Sequence, residues 1–516
     1  MQRKAIGVAV LAALCGAFFA LAAPPIDLPV FAWLGLAAIA FLLDLDLQRP
    51  KRAWLEGSGR GLAFGFGLNV VALHFVPRVI ARFTPLPFVA GVLALLLLSV
   101  AQGLPWAVAG AVRAALVRVQ VPRPVAFAIA AYAGCFVPVV FPWTVASWIT
   151  RWPALLQLAD VIGERGVTAL VALSAASLAS AVRDRAKPRV AFAHAAVAVG
   201  LPIFMLLQGT LRMRGVEHAR EAAPSIRVGL VQPGIEATTR WDAEAAPGIV
   251  AKLTALTRNA EARGAQVTVW SESAYPYELA RGTRSVVSGE LGPFSGGVHG
   301  PIIAGAITID GEHERFNAAL AMRADHAVTG EYDKLHLLWF GEEVPFATAW
   351  PWLRRTFARG IGLLPGDHPV LLDTGRLKAA PLICVEDALP AASREAASVH
   401  PNVLVDMSND AWFAGSSESA GHLRAAIPRA IETRRDLVRA VNGGSTGLID
   451  AAGHVRAVLP DDFAGSLVVS VALLDGPPTF YCAWGDAPTA LLLAALALAS
   501  RLASRRTKRN ERQVTE

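Results

Sequence analysis

Long apolar runs separated by short charged clusters fill both ends of the chain, and a polar stretch of mixed periodicity lies between them. Segments at 5–23, 29–47, 61–81, 87–110, 124–147, 166–182, 190–211 and 487–503 are apolar enough to predict helices that cross a bilayer or nearly do. This divides the chain into a seven-span region over 1–211, a water-facing domain over 212–486, and a last span with a basic tail over 487–516. Within the middle domain the pattern alternates. Short apolar runs predict strands at Ile226–Gln232, Gln266–Glu272, Pro301–Ile309, Phe316–Met322, Leu377–Ile383, Val403–Ser408, Thr446–Asp450, Val455–Leu459 and Gly465–Val471. Helical periodicity covers Ala243–Arg263, Asp387–Val399 and Gly421–Arg439. The expected architecture is a polytopic α-helical membrane domain of about eight spans joined to a layered α/β domain.

Charge gives this plan an orientation. Basic clusters at Arg3-Lys4, Arg49/Lys51/Arg52, Arg113/Arg118/Arg123, Arg183/Arg185/Lys187/Arg189 and Arg501 to Arg512 mark every second connection. The connections near Pro24–Pro29 and Thr84–Pro87 are poor in Lys and Arg, and the one at Arg151–Arg165 also carries Asp160 and Glu164. The positive-inside rule then puts both termini in the cytoplasm and the middle domain on the opposite face, the periplasm of a double-membrane bacterium. Residues 1–23 also have the form of a signal peptide ending Ala20-Leu21-Ala22, but an even number of spans fits the basic C-terminal tail better. A net charge of +7 spread over membrane-flanking clusters points away from nucleic acid.

The chain has four cysteines and 54% hydrophobic residues against 17% charged. Cys15 and Cys135 lie in apolar stretches and Cys482 just before the last one. Cys384 is thus the one cysteine within the water-facing domain that lies away from an apolar span, and no disulfide pattern appears. It ends the run Ala379-Ala380-Pro381-Leu382-Ile383, and Asp387 to Pro390 read as the first turn of a helix. A strand-to-helix corner holds a side chain at a sheet edge, beside backbone N–H groups that favour a thiolate.

Two other polar segments interrupt apolar runs at strand ends: Trp270-Ser271-Glu272-Ser273, and Tyr332-Asp333-Lys334-Leu335-His336 continuing through Trp339-Phe340-Gly341-Glu342-Glu343-Val344-Pro345. A carboxylate, an ammonium and a thiol suffice for acyl transfer. The carboxylate takes the thiol proton, the thiolate attacks a carbonyl, and the ammonium with a backbone N–H holds the oxyanion. Taken singly, Cys384 reads as a small buried hydrophobe, Lys334 as a solvated charge and Glu272 as a strand-end acid. Their joint occurrence in this order reverses that reading.

At these residues the chain resembles the nitrilase (carbon–nitrogen hydrolase) superfamily. The resemblance implies an αββα sandwich, with Glu272 as general base, Lys334 as oxyanion stabiliser and Cys384 as nucleophile. It also implies supporting roles for Glu342 in Phe-Gly-Glu and for Glu386 just after the nucleophile. His336 reads as a packing residue. The spans around the domain make the whole chain similar to the bacterial apolipoprotein N-acyltransferase family. Further stretches carry this: Val231-Gln232-Pro233, Arg240-Trp241-Asp242, Phe141-Pro142-Trp143, Ser408-Asn409-Asp410-Ala411-Trp412-Phe413, His422 with Arg429-Ala430-Ile431-Glu432, and Val441-Asn442-Gly443-Gly444. The chain departs from the pattern at Trp339, where proline is usual, at Val385, where an aromatic is usual, and at Gly443, where asparagine is usual. The third span lacks its usual Trp-rich ending, and Phe141 lacks its usual preceding glycine.

What the resemblance implies is a phospholipid as acyl donor, the diacylglyceryl-cysteine α-amine of an apolipoprotein as acceptor, and a thioester on Cys384 between them. Trp241, Trp412 and Phe413 are expected to line the substrate pocket, and Trp350 to Gly366 to form a lid. No cofactor is implied, and the histidines are scattered without metal-ligand spacing. Two rival readings use the same residues: a membrane-tethered amidase or nitrilase-like hydrolase of small amides, and a transporter or sensor whose domain only binds ligand.

Overall fold

The computed structural model describes residues 2–45, 52–339, 341–344, 350, 352 and 362–515, with backbone alone at 2–4, Trp241 and 504–515. The chain forms two compact units, Met1–Arg212 with Trp484–Glu516, and Met213–Ala483.

The first unit is helical: α1 (Gln2–Phe19), α2 (Val30–Leu43), α3 (Ala53–Ala72), α4 (Val76–Phe83), α5 (Phe88–Gln102), α6 (Leu104–Arg118), α7 (Arg123–Gly134), α8 (Ala159–Arg183) and the first part of α9 (Pro188–Ala222). By length and composition, four stretches among the described residues are long and apolar enough to cross a membrane. A fifth arises if α3 and α4, bent by 55°, form one broken span. Val30–Leu43 and Ala487–Ala503 are shorter apolar helices. The segment expected as a span over 124–147 is helical only to Gly134. Pro138 and Pro142 follow, and each removes a backbone donor that a helix needs. The freed groups are satisfied by Gln102, whose Oε1 accepts from Val140 N–H (2.8 Å) and Phe141 N–H (3.2 Å) and whose Nε2 donates to Phe141 C=O (3.0 Å). The helix expected to stop near 211 instead runs to Ala222, past the expected division at 211/212.

The second unit holds two sheets. The strands that matter below are β1 (Ser225–Gln232), β2 (Val267–Val269), β4 (Ile302–Ile309), β5 (Arg315–Met322), β6 (Val328–Asp333), β8 (Lys378–Ile383), β9 (Val403–Asn409) and β10 (Asp436–Asn442). With β3 (Leu279–Ala280), β7 (Leu372–Asp373), β11 (Gly447–Ile449), β12 (Val455–Val458) and β13 (Gly465–Ala472), one sheet has the order β13-β1-β2-β4-β5-β6, with β3 pairing β4, and the other has the order β12-β11-β10-β9-β8-β7. The pairs β1–β2, β2–β4, β8–β9 and β9–β10 are parallel. Buried on both faces, such strands read as continuous apolar runs. Ile226, Val228, Leu230, Val267, Val269 and Ile303 of one sheet pack with Ala379, Ile383, Val403, Val405, Met407 and Val438 of the other. The outer face of the first sheet, including Trp270, Ile302, Ala304 and Leu320, packs with Ile249, Val250 and Leu253 of α10 (Ala246–Ala262). Two helices, α11 (Pro390–Ser398) and α12 (Glu418–Thr433), lie against the second sheet. Ser393 Oγ of α11 donates to Glu432 of α12 at 2.7 Å.

Two elements differ from expectation. The helix expected through Arg439 ends at Thr433. Arg434 turns left-handed (φ 54°), and Asp436–Asn442 continues as the fully buried strand β10. Its run Leu437-Val438 looks helical beside α12 because a short apolar run does not declare its period. The helix expected from Asp387 begins at Pro390, because proline holds the preceding Leu389 extended (φ −98°, ψ 121°).

Candidate active site

Three strand ends converge. Glu272 follows β2, Lys334 follows β6, and Cys384 follows β8. Glu272 and Lys334 are buried. The Lys334 ammonium lies 2.6 Å from Glu342 Oε2 and 3.4 Å from Glu272 Oε1. Asn317 of β5 joins the two acids, its Nδ2 donating to Glu272 Oε1 (2.7 Å) and Glu342 Oε1 (2.8 Å). Its backbone carbonyl accepts from Lys334 N–H at 2.8 Å. Glu342 is steadied in turn by Leu338 N–H at 2.9 Å.

Glu386, fully buried, organises the loop around Lys334. Its carboxylate accepts from Tyr332 Oη (2.9 Å), Leu335 N–H (2.7 Å), His336 N–H (3.0 Å) and Ile383 N–H (2.7 Å). One acid thereby fixes the residues on either side of Lys334 and the residue before Cys384. Cys384 itself opens the 3₁₀ turn Cys384–Ala388 with φ 53°, left-handed for a residue with a Cβ. Such backbone costs roughly 1–3 kcal/mol and persists only where surrounding bonds impose it.

The electrostatics push the two glutamates in opposite directions. Burial, with Glu342 close by, raises the Glu272 carboxyl, against the pull of Lys334 and Asn317. Burial acts on Glu342 too, but Lys334 and the surrounding donors outweigh it and hold that carboxyl below its usual range. Burial would lower the Lys334 ammonium, yet Glu342 and Glu272 keep it well above normal. Burial and then Glu272 push the Cys384 thiol well above its ordinary range, while Lys334 and His422 oppose the rise. The resting sulfur is therefore a thiol, not the thiolate expected from backbone N–H groups alone. For such a sulfur to attack a carbonyl, a neighbouring carboxylate would have to take its proton.

The remaining expected residues are placed as follows. Trp412 and Phe413 are half-buried in the 3₁₀ turn Ala411–Phe413, just after β9. Trp241 closes the turn Thr239–Trp241. The neighbouring Arg240 is buried, which pushes its guanidinium down to about 10 against the pull of Glu272. His336 pairs with Glu395 of α11 at 2.7 Å rather than with the three central residues. Of the expected lid, Pro351, residues 353–361 and the span 345–349 before it lie outside the described residues; Trp350 and Trp352 are exposed.

Three features were not read from the sequence. Asn317 is one polar residue in the buried strand Phe316–Met322 and was its only signal. Gly305, in the run Ile302–Ile307, lets the Glu272 backbone approach: a Cβ there would meet Ser271 O at 2.5 Å and Ser273 N at 2.4 Å. The third is the cluster Asp410, Glu418 and His422, all buried, whose ligand-type atoms lie within 4.8 Å of one another.

Known proteins match over nearly the whole chain. The family described as apolipoprotein N-acyltransferase N-terminal domain matches residues 15–177, and the carbon-nitrogen hydrolase family matches 227–473. Apolipoprotein N-acyltransferase of Geobacter metallireducens is 31% identical over 507 residues, covering 96% of this chain and 95% of that one. Its counterpart in Shewanella oneidensis is 29% identical, covering 95% and 94%. Among solved structures, Saccharomyces cerevisiae Nit3, of the nitrilase superfamily, aligns at TM-score 0.37 and 13% identity over 50% of this chain and 94% of that one.

Proposed function

The chain belongs to the apolipoprotein N-acyltransferase family, and on that premise we propose that Cys384 carries an acyl group from a phospholipid to an apolipoprotein. In the first half-reaction Glu272 takes the Cys384 proton and the sulfur attacks an ester carbonyl of the phospholipid. The Lys334 ammonium and a backbone N–H stabilise the oxyanion. The carbonyl reforms as a thioester, the ester C–O bond breaks, and the lysophospholipid leaves with the proton from Glu272. In the second half-reaction the α-amine of the diacylglyceryl-cysteine attacks the thioester. Glu272 takes the amine proton and returns it to the Cys384 sulfur as the C–S bond breaks. Glu342 keeps Lys334 charged, and Glu386 holds the loop around it. Trp241, Trp412 and Phe413 are the proposed substrate wall.

The observation that supports this reading best is the unequal sharing of Lys334. Paired closely with Glu342, the ammonium leaves Glu272 as the acid able to take a proton. The basic clusters support a multi-pass protein of the bacterial inner membrane, with both termini cytoplasmic and residues 212–486 periplasmic.

The test is intact-mass analysis of the full chain in detergent after incubation with phospholipid. An acyl adduct on Cys384, absent in Cys384→Ala and in a folded Lys334→Ala, is the expected result. Wild-type protein that never acquires the adduct would overturn the mechanism. Ammonia release from small amides without lipid would favour the hydrolase reading instead.

A further inference from the structure

The Asp410–Glu418–His422 cluster has metal-like spacing, but its histidine is already fully engaged. Nδ1 lies 3.0 Å from Asp410 Oδ1, and Nε2 lies 2.9 Å from Asp387 Oδ1. A ring between two carboxylate oxygens satisfies both only when each nitrogen carries a hydrogen. His422 is thus an imidazolium. Burial works against that charge, but Asp387 and Asp410 raise the ring well above its ordinary range.

The two acids sit on different functional turns. Asp387 belongs to the turn Cys384–Ala388, three residues after the nucleophile. Asp410 directly precedes the turn Ala411–Phe413. His422 reaches both from α12, a third element. Among the described residues, three further charged groups bear on the ring and its partner acids: Arg439, Asp406 and Glu418. Arg439 of β10 pairs with Asp387 and lies 3.0 Å from Asp406 of β9. Asp406 is held well above its usual range, chiefly by burial, and Glu418 is pushed up to about 8 by burial and Asp410. Asp387 and Asp410 face the two ring nitrogens of His422, and the His422 charge opposes the rise of the Cys384 thiol.

We propose that His422 is a positioning residue: an imidazolium clamp that fastens the turn bearing Cys384 to the turn bearing Trp412 and Phe413, and keeps a positive charge beside the attacking sulfur. This rests on Cys384 as the nucleophile. A neutral donor could hold the same geometry but would not favour the thiolate, so charge and shape can be separated by experiment.

The experiment is the pH dependence of Cys384 alkylation by iodoacetamide, in the full chain in detergent, with the modified site identified by mass spectrometry. Wild type is compared with His422→Gln and Asp410→Asn, and folding is checked by thermal unfolding. In His422→Gln the rate at pH 7 should fall at least about tenfold, one unit of thiol pKa, and the gap should close as pH rises. In Asp410→Asn the ring keeps one counter-charge and loses its proton at lower pH, so the gap should open as pH rises. Variant-to-wild-type ratios that do not change with pH would mean a merely structural role and overturn the proposal. If only one variant folds, its ratio decides; if neither folds, the clamp serves the fold and the proposal falls. Alkylation needs neither phospholipid nor lipoprotein. A missing acyl adduct and a flat alkylation ratio are therefore distinguishable failures.

Discussion

The ammonium of Lys334 lies 2.6 Å from the Glu342 carboxylate, inside hydrogen-bond range and almost wholly out of water. Glu272, at 3.4 Å, is the looser partner. With one cation and two acids in a buried space, only one acid can be fully compensated. Glu342 takes that place, and Glu272 is left with a raised affinity for a proton.

Glu342→Gln should therefore change the pH profile as well as the rate. In the proposed mechanism, activity on the acid side rises as Glu272 loses its proton. Without Glu342, Glu272 no longer faces a like charge and becomes the nearest acid to Lys334, so its pKa falls. The acid limb should move to lower pH, while the rate at neutral pH drops by about 100-fold because the base is weaker. Single-turnover acylation of Cys384 measured against pH checks this. A limb that stays in place or moves up contradicts the division of roles between the two acids.

Gly305 is the second site of consequence, although it contributes no functional group. Its Cα faces the backbone of Ser271, Glu272 and Ser273, and an added Cβ would lie 2.4 Å from Ser273 N. Backbone cannot swing aside as a flexible side chain can. Ser273 is itself left-handed (φ 45°), so this corner has little freedom left. Gly305→Ala should displace Glu272 by a fraction of an ångström and lower the acylation rate by about 100-fold, with a loss of about 1–3 kcal/mol in stability. Thermal unfolding together with single-turnover acylation tests both. Wild-type acylation in the alanine variant would remove the glycine from the site.

How much of this was legible in the sequence follows from the physics of each element. Cys384, Lys334 and Glu272 stood out because each breaks an apolar run at a strand end, where side chains leave the sheet. β6 (Val328–Asp333) did not stand out. Its Thr329, Gly330 and Glu331 are too polar for a strand pattern, and it survives as a sheet edge through pairing with β5. β10 was hidden for the opposite reason, an apolar run continuous with α12. Asn317 and His422 were invisible as functional groups because their partners lie far off in sequence. Glu272 is 45 residues from Asn317, and Asp387 is 35 from His422. The Gly443 departure does have a structural reason. Its φ is +68°, and a Cβ would lie 2.9 Å from Ala411 Cα, against the turn bearing Trp412.

The left-handed backbone at Cys384 gives a third prediction. A residue with a Cβ costs about 1–2 kcal/mol in this conformation, and glycine avoids that cost. Ile383 N–H, bound to Glu386 at 2.7 Å, is one of the contacts that impose it. Cys384→Gly and Cys384→Ala should both lose all acylation, but the glycine variant should be the more stable by about 1 kcal/mol. Equal melting temperatures would mean that the corner is not strained and that the thiol is presented by ordinary geometry.

Asp450 offers a test of stability away from the chemistry. It is fully buried and accepts from Arg456 Nε (2.5 Å) and from the backbone N–H groups of Ala452 and His454 (2.9 Å each). Burial alone would raise its pKa, but the His454 bonds and Arg456 overcome this and hold it at about 2. An unfolded aspartate titrates near ~3.9. The folded value lies below the unfolded one, so the stabilisation is fully present above ~3.9 and is lost as pH falls toward about 2. Asp450→Asn should cost about 2.6 kcal/mol at pH 7, the size of that shift in free energy. At pH 3 the cost should be clearly smaller, because part of the wild-type advantage has gone. Unfolding followed by tryptophan fluorescence at the two pH values measures it. A cost that is the same at pH 7 and pH 3 would mean that the aspartate acts through shape and not through its charge.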